Sequence, residues 1–230
     1  MLIKKMLFVI LTFVTAISFA ACSDDENTTS PTPTEKANVL VVHASPDAPG
    51  VDLLVDNTVA GTNLTFPNNT GYLSVNAGTR NVKVNVTGTS TTVIQANLNL
   101  VANKNYSVFA VNQVSAIEPL VFEDDLITPA SGKAHVRFIH LSPNAPAVNI
   151  TLTDGTIVFG NVAFKGSVNF TPLNAGIYNL QVRDAATNQT VVLELPNINL
   201  QAGKIYTVFA KGLLGGTGVQ ELGAQIIVNK

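Results

Sequence analysis

The chain of 230 residues has no tryptophan, one cysteine, three histidines and only 12% charged residues. Each scarcity excludes something. A single cysteine, Cys22, allows no intramolecular disulfide and no thiolate metal cluster. The charged fraction is about half the ~25% of an ordinary soluble domain, so surface polarity must come from Asn, Thr, Ser and Gln. Thirteen basic residues face fifteen acidic ones, a net charge of −2. Losing Lys4 and Lys5 with the first 21 residues would leave 11 against 15, or −4. No basic patch remains to neutralise a phosphate backbone, which excludes nucleic acid as a partner. Runs of helix formers are scarce beyond the N-terminus, whereas Val, Ile, Thr, Phe and Tyr recur throughout, as in strands.

The N-terminus has its own logic. MLIKKMLFVILTFVTAISFAAC places two lysines before an apolar run and small residues before Cys22, the layout of a secretory signal. The run is shorter than the ~20 residues of a membrane span. Phe19-Ala20-Ala21-Cys22 resembles a bacterial lipobox, although Phe19 stands where an aliphatic residue is preferred. The resemblance implies a signal peptide over 1–21 and a lipid on Cys22, which becomes an anchor to the membrane. Residues 22–36 (CSDDENTTSPTPTEK) hold too little apolar surface to join a core and read as an acidic flexible tether. Ser23 after the cysteine resembles outer-membrane lipoproteins. The cluster Asp24-Asp25-Glu26 resembles the surface-export tag of Bacteroidota-type bacteria. The expected location is the outer membrane, lipid-anchored and facing the cell surface, with a periplasm-facing placement as the alternative.

Beyond residue 36 the chain is written twice. HASPDAPGVD (43–52) returns as HLSPNAPAVN (140–149), an offset of 97; NAG (76–78) returns at 174–176; NLNLVANKNYSVFA (97–110) returns as NINLQAGKIYTVFA (197–210). Three blocks in one order at nearly constant offset indicate a tandem duplication of a domain-sized unit. Within each copy, period-two segments such as NVKVNVT (81–87) alternate with short turns. The reading is an all-β chain of two tandem antiparallel β-sandwiches, 37–128 and 129–230, immunoglobulin-like, with a transthyretin-like sandwich as the rival. The shared form L-x-A-x-K-x-Y-x-V places Tyr106 and Tyr206 as candidate tyrosine corners.

H-x-S-P-x-A-P-x-V, the N-A-G turn and L-x-A-G-x-x-Y-T-V together resemble the family called domain of unknown function 4397, twice over residues 37–230. The resemblance implies a β-sandwich in a secreted or surface-anchored bacterial protein, and brings no chemistry with it.

No residue set for catalysis stands out. His43 and His140 could ligate a metal or move a proton, but only His135 remains to join them. Asp47 and Asp52 become Asn144 and Asn149 in the second copy, which a shared calcium or carboxylate site would not tolerate. The simpler expectation is a histidine that bonds Ser45 or a loop carbonyl. Ser45 and Ser142 lack the strand–turn–helix elbow of a nucleophile. GLLGGTG (212–218) lacks the Lys-Ser/Thr of a phosphate loop and reads as a long hairpin connection. Glu123-Asp124-Asp125 reads as solvated acids before a short linker. The N-x-S/T triplets, at Asn27, Asn63, Asn68, Asn85, Asn105, Asn149, Asn169 and Asn188, read as Asn/Thr-rich strands. No cofactor and no metal are expected.

The functional expectation is a non-enzymatic binding or structural module at the cell envelope. Its candidate binding loops contain His43, Ser45, Asp47, His140, Ser142 and Asn144, and its candidate partners are a polysaccharide or an envelope protein. The alternative is an accessory or catalytic component of envelope glycan processing.

Overall fold

A computed structural model describes residues 34–230; the signal-like segment, Cys22 and nearly all of the acidic tether lie outside the described residues. The duplication appears as two sets of eight strands. The first set is β1 (Lys36–His43), β2 (Val51–Val55), β3 (Thr58–Leu64), β4 (Asn69–Asn76), β5 (Gly78–Val86), β6 (Thr92–Leu100), β7 (Asn105–Val111) and β8 (Glu118–Glu123). The second is β9 (Lys133–His140), β10 (Val148–Leu152), β11 (Ile157–Val162), β12 (Ser167–Asn174), β13 (Gly176–Asp184), β14 (Val191–Leu200), β15 (Ile205–Lys211) and β16 (Gly223–Val228). Among the described residues there is no α-helix, only single 3-10 turns at Val114–Ala116 and Gly218–Gln220.

Each set folds into a two-sheet sandwich. The sheets run β4-β1-β7-β8 and β3-β2-β5-β6 in the first, β12-β9-β15-β16 and β11-β10-β13-β14 in the second. Alternation decides the interior. Val82 and Val84 of β5 are buried while Lys83 and Asn85 are not, so one face enters the core. One strand pair per copy, β1–β7 and β9–β15, is parallel, the others being antiparallel. Parallel neighbours cannot be joined by a hairpin, and here the intervening strands of the second sheet make the crossover.

The tyrosines near the starts of β7 and β15 tie the turn before them. The Tyr106 hydroxyl accepts the Val101 N–H at 3.1 Å, and the Tyr206 hydroxyl accepts the Gln201 N–H at 3.1 Å. Both rings are buried. Changing either tyrosine to Phe is expected to cost about 1–2 kcal/mol, because it leaves a partly buried N–H without its acceptor; urea denaturation measures it.

The two sandwiches share a third core. In β1, Ala37, Val39 and Val41 face the first sandwich, while Leu40 and Val42 face away from it. In β9, Ala134, Val136 and Phe138 face the second sandwich and Ile139 faces away. The outward sets meet with Phe109 of β7, Phe209 of β15 and Ile227 of β16, stacking the β4-β1-β7-β8 sheet on the β12-β9-β15-β16 sheet. Residues 34–230 are accordingly one compact unit. Strands buried on both faces carry continuous apolar runs, which is why VLVV and FIHL lack alternation.

One end of this shared interface is polar. Arg137 of β9 donates to Asp124 Oδ1 at 2.7 Å, Ser107 Oγ at 3.1 Å and Thr207 Oγ1 at 2.8 Å. Its guanidinium lies over Phe122 of the first copy and Phe170 of the second, at 5.2 and 4.5 Å from the ring centroids. Asp124 Oδ2 accepts from Tyr72 (2.6 Å) and Ser107 (2.5 Å), and Asn229 Nδ2 donates to the Tyr72 hydroxyl at 3.0 Å. Burial, together with the Asp124 charge, raises the Tyr72 pKa far above its ordinary value. This corrects the expectation of solvated acids at 123–125. Asp124 is buried, whereas Glu123 pairs with Lys104 at the surface. The missing signal was its partner, thirteen residues on in the next domain.

Candidate functional site

The two SPxAP loops stand at one end of the molecule. Each follows the last residue of a central strand, His43 of β1 or His140 of β9. Lys165, whose N–H bonds the His140 carbonyl, pairs with Glu118 (2.9 Å), the first residue of β8, opposite Val111 at the end of β7. The ends of β9 and β7 are therefore adjacent across the interface. The 112–117 and 212–222 connections lie at this same end, called the tip here. At the other end, the base, lie the start of β1 at Lys36, the linker after Asp124 and the C-terminus, where Lys230 Nζ donates to the Leu126 carbonyl at 3.0 Å.

Within each loop the prolines explain the histidine. Prolines donate no backbone hydrogen bond, but their carbonyls need partners when the loop folds inward. His43 Nε2 lies 3.0 Å from the Pro49 carbonyl, and His140 Nε2 lies 2.9 Å from that of Pro146. Nε2 must carry the proton in both, which leaves Nδ1 as an acceptor. In the second copy, Nδ1 accepts the Ser142 N–H at 3.3 Å. Both rings are fully buried, and burial pushes both pKa values below 6.5.

The sign of the pH effect follows. Because the folded pKa lies below the unfolded one, the unfolded chain binds more protons, and stability falls as pH drops below about 6.5. Each histidine can contribute a slope of at most about 1.4 kcal/mol per pH unit. Unfolding free energies measured from pH 8 to 5 should therefore fall below pH 6.5. A His43→Gln/His140→Gln variant should lose most of that slope.

The other candidate loop residues divide by burial. Ser45 and Ser142 are fully buried, and their hydroxyls have no partner among the described residues. Solvent does not reach them, so neither can meet a substrate. Asp47 Oδ1 accepts the Val114 N–H at 2.8 Å, and Asn144 Oδ1 accepts the Leu214 N–H at 2.8 Å. Asp52 Oδ1 accepts the Asn63 N–H at 2.8 Å, and Asn149 Oδ1 accepts the Asn161 N–H at 2.7 Å. The Asp-to-Asn exchange between copies thus leaves one acceptor oxygen doing the same work. These residues brace loops, and a carboxylate or an amide serves equally as acceptor.

The glycine-rich stretch 212–218 joins β15 to β16. Gly212 has φ +81°, and a Cβ there would stand 2.2 Å from the Glu221 carbonyl oxygen, so glycine is required. Asn112, at the corresponding place in the first copy, has φ 75°. What the tip presents to solvent is mixed: the aliphatics Val114, Leu214 and Val219 with Pro49 and Pro146, beside exposed Glu221 and the half-exposed Lys165–Glu118 pair. Sequence reasoning missed these residues, since isolated aliphatics in connecting loops carry no pattern.

The fold and the paired loops define a class: a tandem, all-β, two-sandwich protein with one loop-bearing end. The chain belongs to the DUF4397 family, described as a domain of unknown function, which matches it over residues 37–151 and again over 150–229. No curated protein matches it significantly in sequence. Among solved structures, it is similar to the C-terminal domain of AlgF from P. aeruginosa (22% identity, 42% of this chain and 98% of that one, TM-score 0.32). It is also similar to the family CBM26 module of Eubacterium rectale Amy13K, solved in complex with maltoheptaose (8% identity, 83% and 96%, TM-score 0.26). Neither likeness is close enough to carry a ligand to this chain.

Proposed function

We propose that this protein is a lipid-anchored module of the bacterial cell envelope, held by Cys22, whose tip is a non-enzymatic binding or structural surface. The observation that carries the reading is the polarity of the fold. The described chain enters at the base, beside Lys36, and both SPxAP loops lie at the opposite end of the strands. An anchor at Cys22 would put the base toward the membrane and the tip away from it. The shared interface fixes the loops of the two copies relative to each other, so they form one composite surface. That surface, with exposed aliphatics and few ions, suits a polysaccharide or a patch of an envelope protein.

Protease treatment of intact cells tests the orientation. Wild-type protein should be shaved from the surface, Cys22→Ala should be released from the membrane fraction, and the Asp24→Asn/Asp25→Asn/Glu26→Gln variant should become protected. Protection of the wild type until the outer membrane is broken would overturn the surface placement. For the tip, Leu214→Asp/Val219→Asp should abolish cell-surface retention of its partner without changing thermal stability. Unchanged retention would remove the tip as the binding surface.

A further inference from the structure

The two copies differ along one edge. In the first sandwich, β3 and β4 are the terminal strands of their sheets, and between them runs a trough. A cavity of about 500 Å³ lies at its base end, between Val55, Val59, Ala60, Leu73 and Val75. About 250 Å³ continues toward the tip past Gly61 and Thr70. The trough extends along the seven residues of β3, roughly 23 Å at ~3.3 Å per residue.

Three substitutions distinguish the corresponding edge of the second sandwich. Val41 corresponds to Phe138 at the offset of 97. Gly61 opposes Leu53 as Phe159 opposes Ile150, and Ser74 opposes Asn38 as Pro172 opposes His135. Phe138 and Phe159 stack with centroids 6.4 Å apart and planes 10° apart in the core of the second sandwich, where the first has Val41 and Gly61. Pro172 removes a backbone donor from the edge strand β12. Terminal strands β8 and β14 also carry prolines, Pro119 and Pro196, whereas β3, β4, β6, β11 and β16 carry none. Proline is a common device for blunting an edge.

The trough therefore offers two kinds of recognition at once. Along its walls, β3 and β4 each bond a neighbour on one side only, leaving outward backbone groups without a strand partner among the described residues. Near the tip, some are already used: Asp52 takes the Asn63 N–H, and Asn69 takes the Gly71 N–H. In the base half the edges have no strand partner among the described residues, and there the cavity is larger. Its floor is aliphatic and half-buried, its rim is Thr58, Ser74 and Asn76, and its ions are already engaged, Arg80 with Asp56 and Lys36 with Asn76. Among the described residues no aromatic ring lines it for sugar stacking.

We propose that the trough between β3 and β4 binds an extended, uncharged polypeptide segment by strand addition, with apolar side chains at alternate positions seated on Val55, Ala60, Leu73 and Val75. Main-chain hydrogen bonds to a free edge hold the segment, and the floor selects its alternate residues. This site is separate from the tip and does not depend on the orientation proposed above.

The test uses the full chain and a fluorescently labelled octapeptide alternating valine and serine, with blocked termini and an asparagine at each end. Fluorescence anisotropy should show saturable binding to the wild type. Binding should weaken at least tenfold when alternate peptide nitrogens are methylated, and at least tenfold in Gly61→Phe, which copies Phe159. A Cβ at Gly61 meets nothing closer than 3.7 Å. Ser74→Pro, copying Pro172, serves should Gly61→Phe not fold. In the wild type, bound peptide should slow hydrogen exchange at amides in 58–62 or 72–76. Absence of saturable peptide binding, equal binding of the methylated peptide, or equal binding by a folded plugged variant would each overturn the proposal. Binding of maltoheptaose or cellohexaose that the plugged variant loses, with no peptide binding, would replace it with a saccharide groove.

Discussion

Arg137→Met is expected to lower the unfolding free energy by about 3–5 kcal/mol, read as a shift in the urea midpoint at unchanged slope. Both members of the Arg137–Asp124 pair are almost completely buried, with side chains 3% and 0% exposed. Removing the cation leaves the Asp124 carboxylate in a low-dielectric interface with only the hydroxyls of Tyr72 and Ser107 to satisfy it. The large cost is that of a stranded charge, not the net worth of the pair. Removing both charges should therefore cost far less. Arg137→Met/Asp124→Leu is expected to recover most of the loss, and a double-mutant cycle would measure the coupling. The first copy shows that an aliphatic residue suits this kind of position, because Leu40 stands where Arg137 stands, at the offset of 97, and is buried in the shared core. Arg137 and Asp124 come from different copies, so the asymmetric pair also fixes which sandwich takes which side of the interface.

Phe209→Ala should be comparably damaging, about 3–5 kcal/mol. Phe209 is fully buried, and its ring meets that of Phe109 at 5.8 Å and 74°; Phe109 in turn meets Phe122 at 6.0 Å and 79°. Deleting the ring removes its transfer free energy and opens a cavity between two sheets that cannot readily collapse, each being held by its own sandwich on the other side. Phe109→Ala should behave similarly. The double variant should cost less than the sum, because each ring lines the cavity left by the other. Both variants should shift one cooperative transition for the whole of 34–230. Two separated transitions, with only the second copy's midpoint moving, would show that the interface does not couple the sandwiches.

Much of this architecture is legible in the residues. The duplicated blocks and period-two segments mark two all-β units, and the L-x-A-x-K-x-Y-x-V form marks Tyr106 and Tyr206, whose hydroxyls do bond the preceding turn. The histidine of each SPxAP loop is also legible in outline, because prolines leave carbonyls that some donor must meet. The roles of Asp47 and Asp52 were half visible. Their exchange for Asn in the second copy argued against a charged site, but the N–H groups they accept lie 67 and 11 residues away. No local pattern reports such a partner.

The sequence by itself determined the copy number, the strand character and the residues that share a face, since alternation and repetition are local properties of the chain. Only the tertiary structure decided what covers the second face of β1, β7, β9 and β15. It made one compact unit of two sandwiches, turned Asp124 from a surface acid into the partner of Arg137, and left a trough beside the edge strands β3 and β4 of the first copy. The physical reason is common to all three. A strand's period says which side chains lie together, while the neighbour that buries, pairs or leaves them open comes from a distant part of the chain.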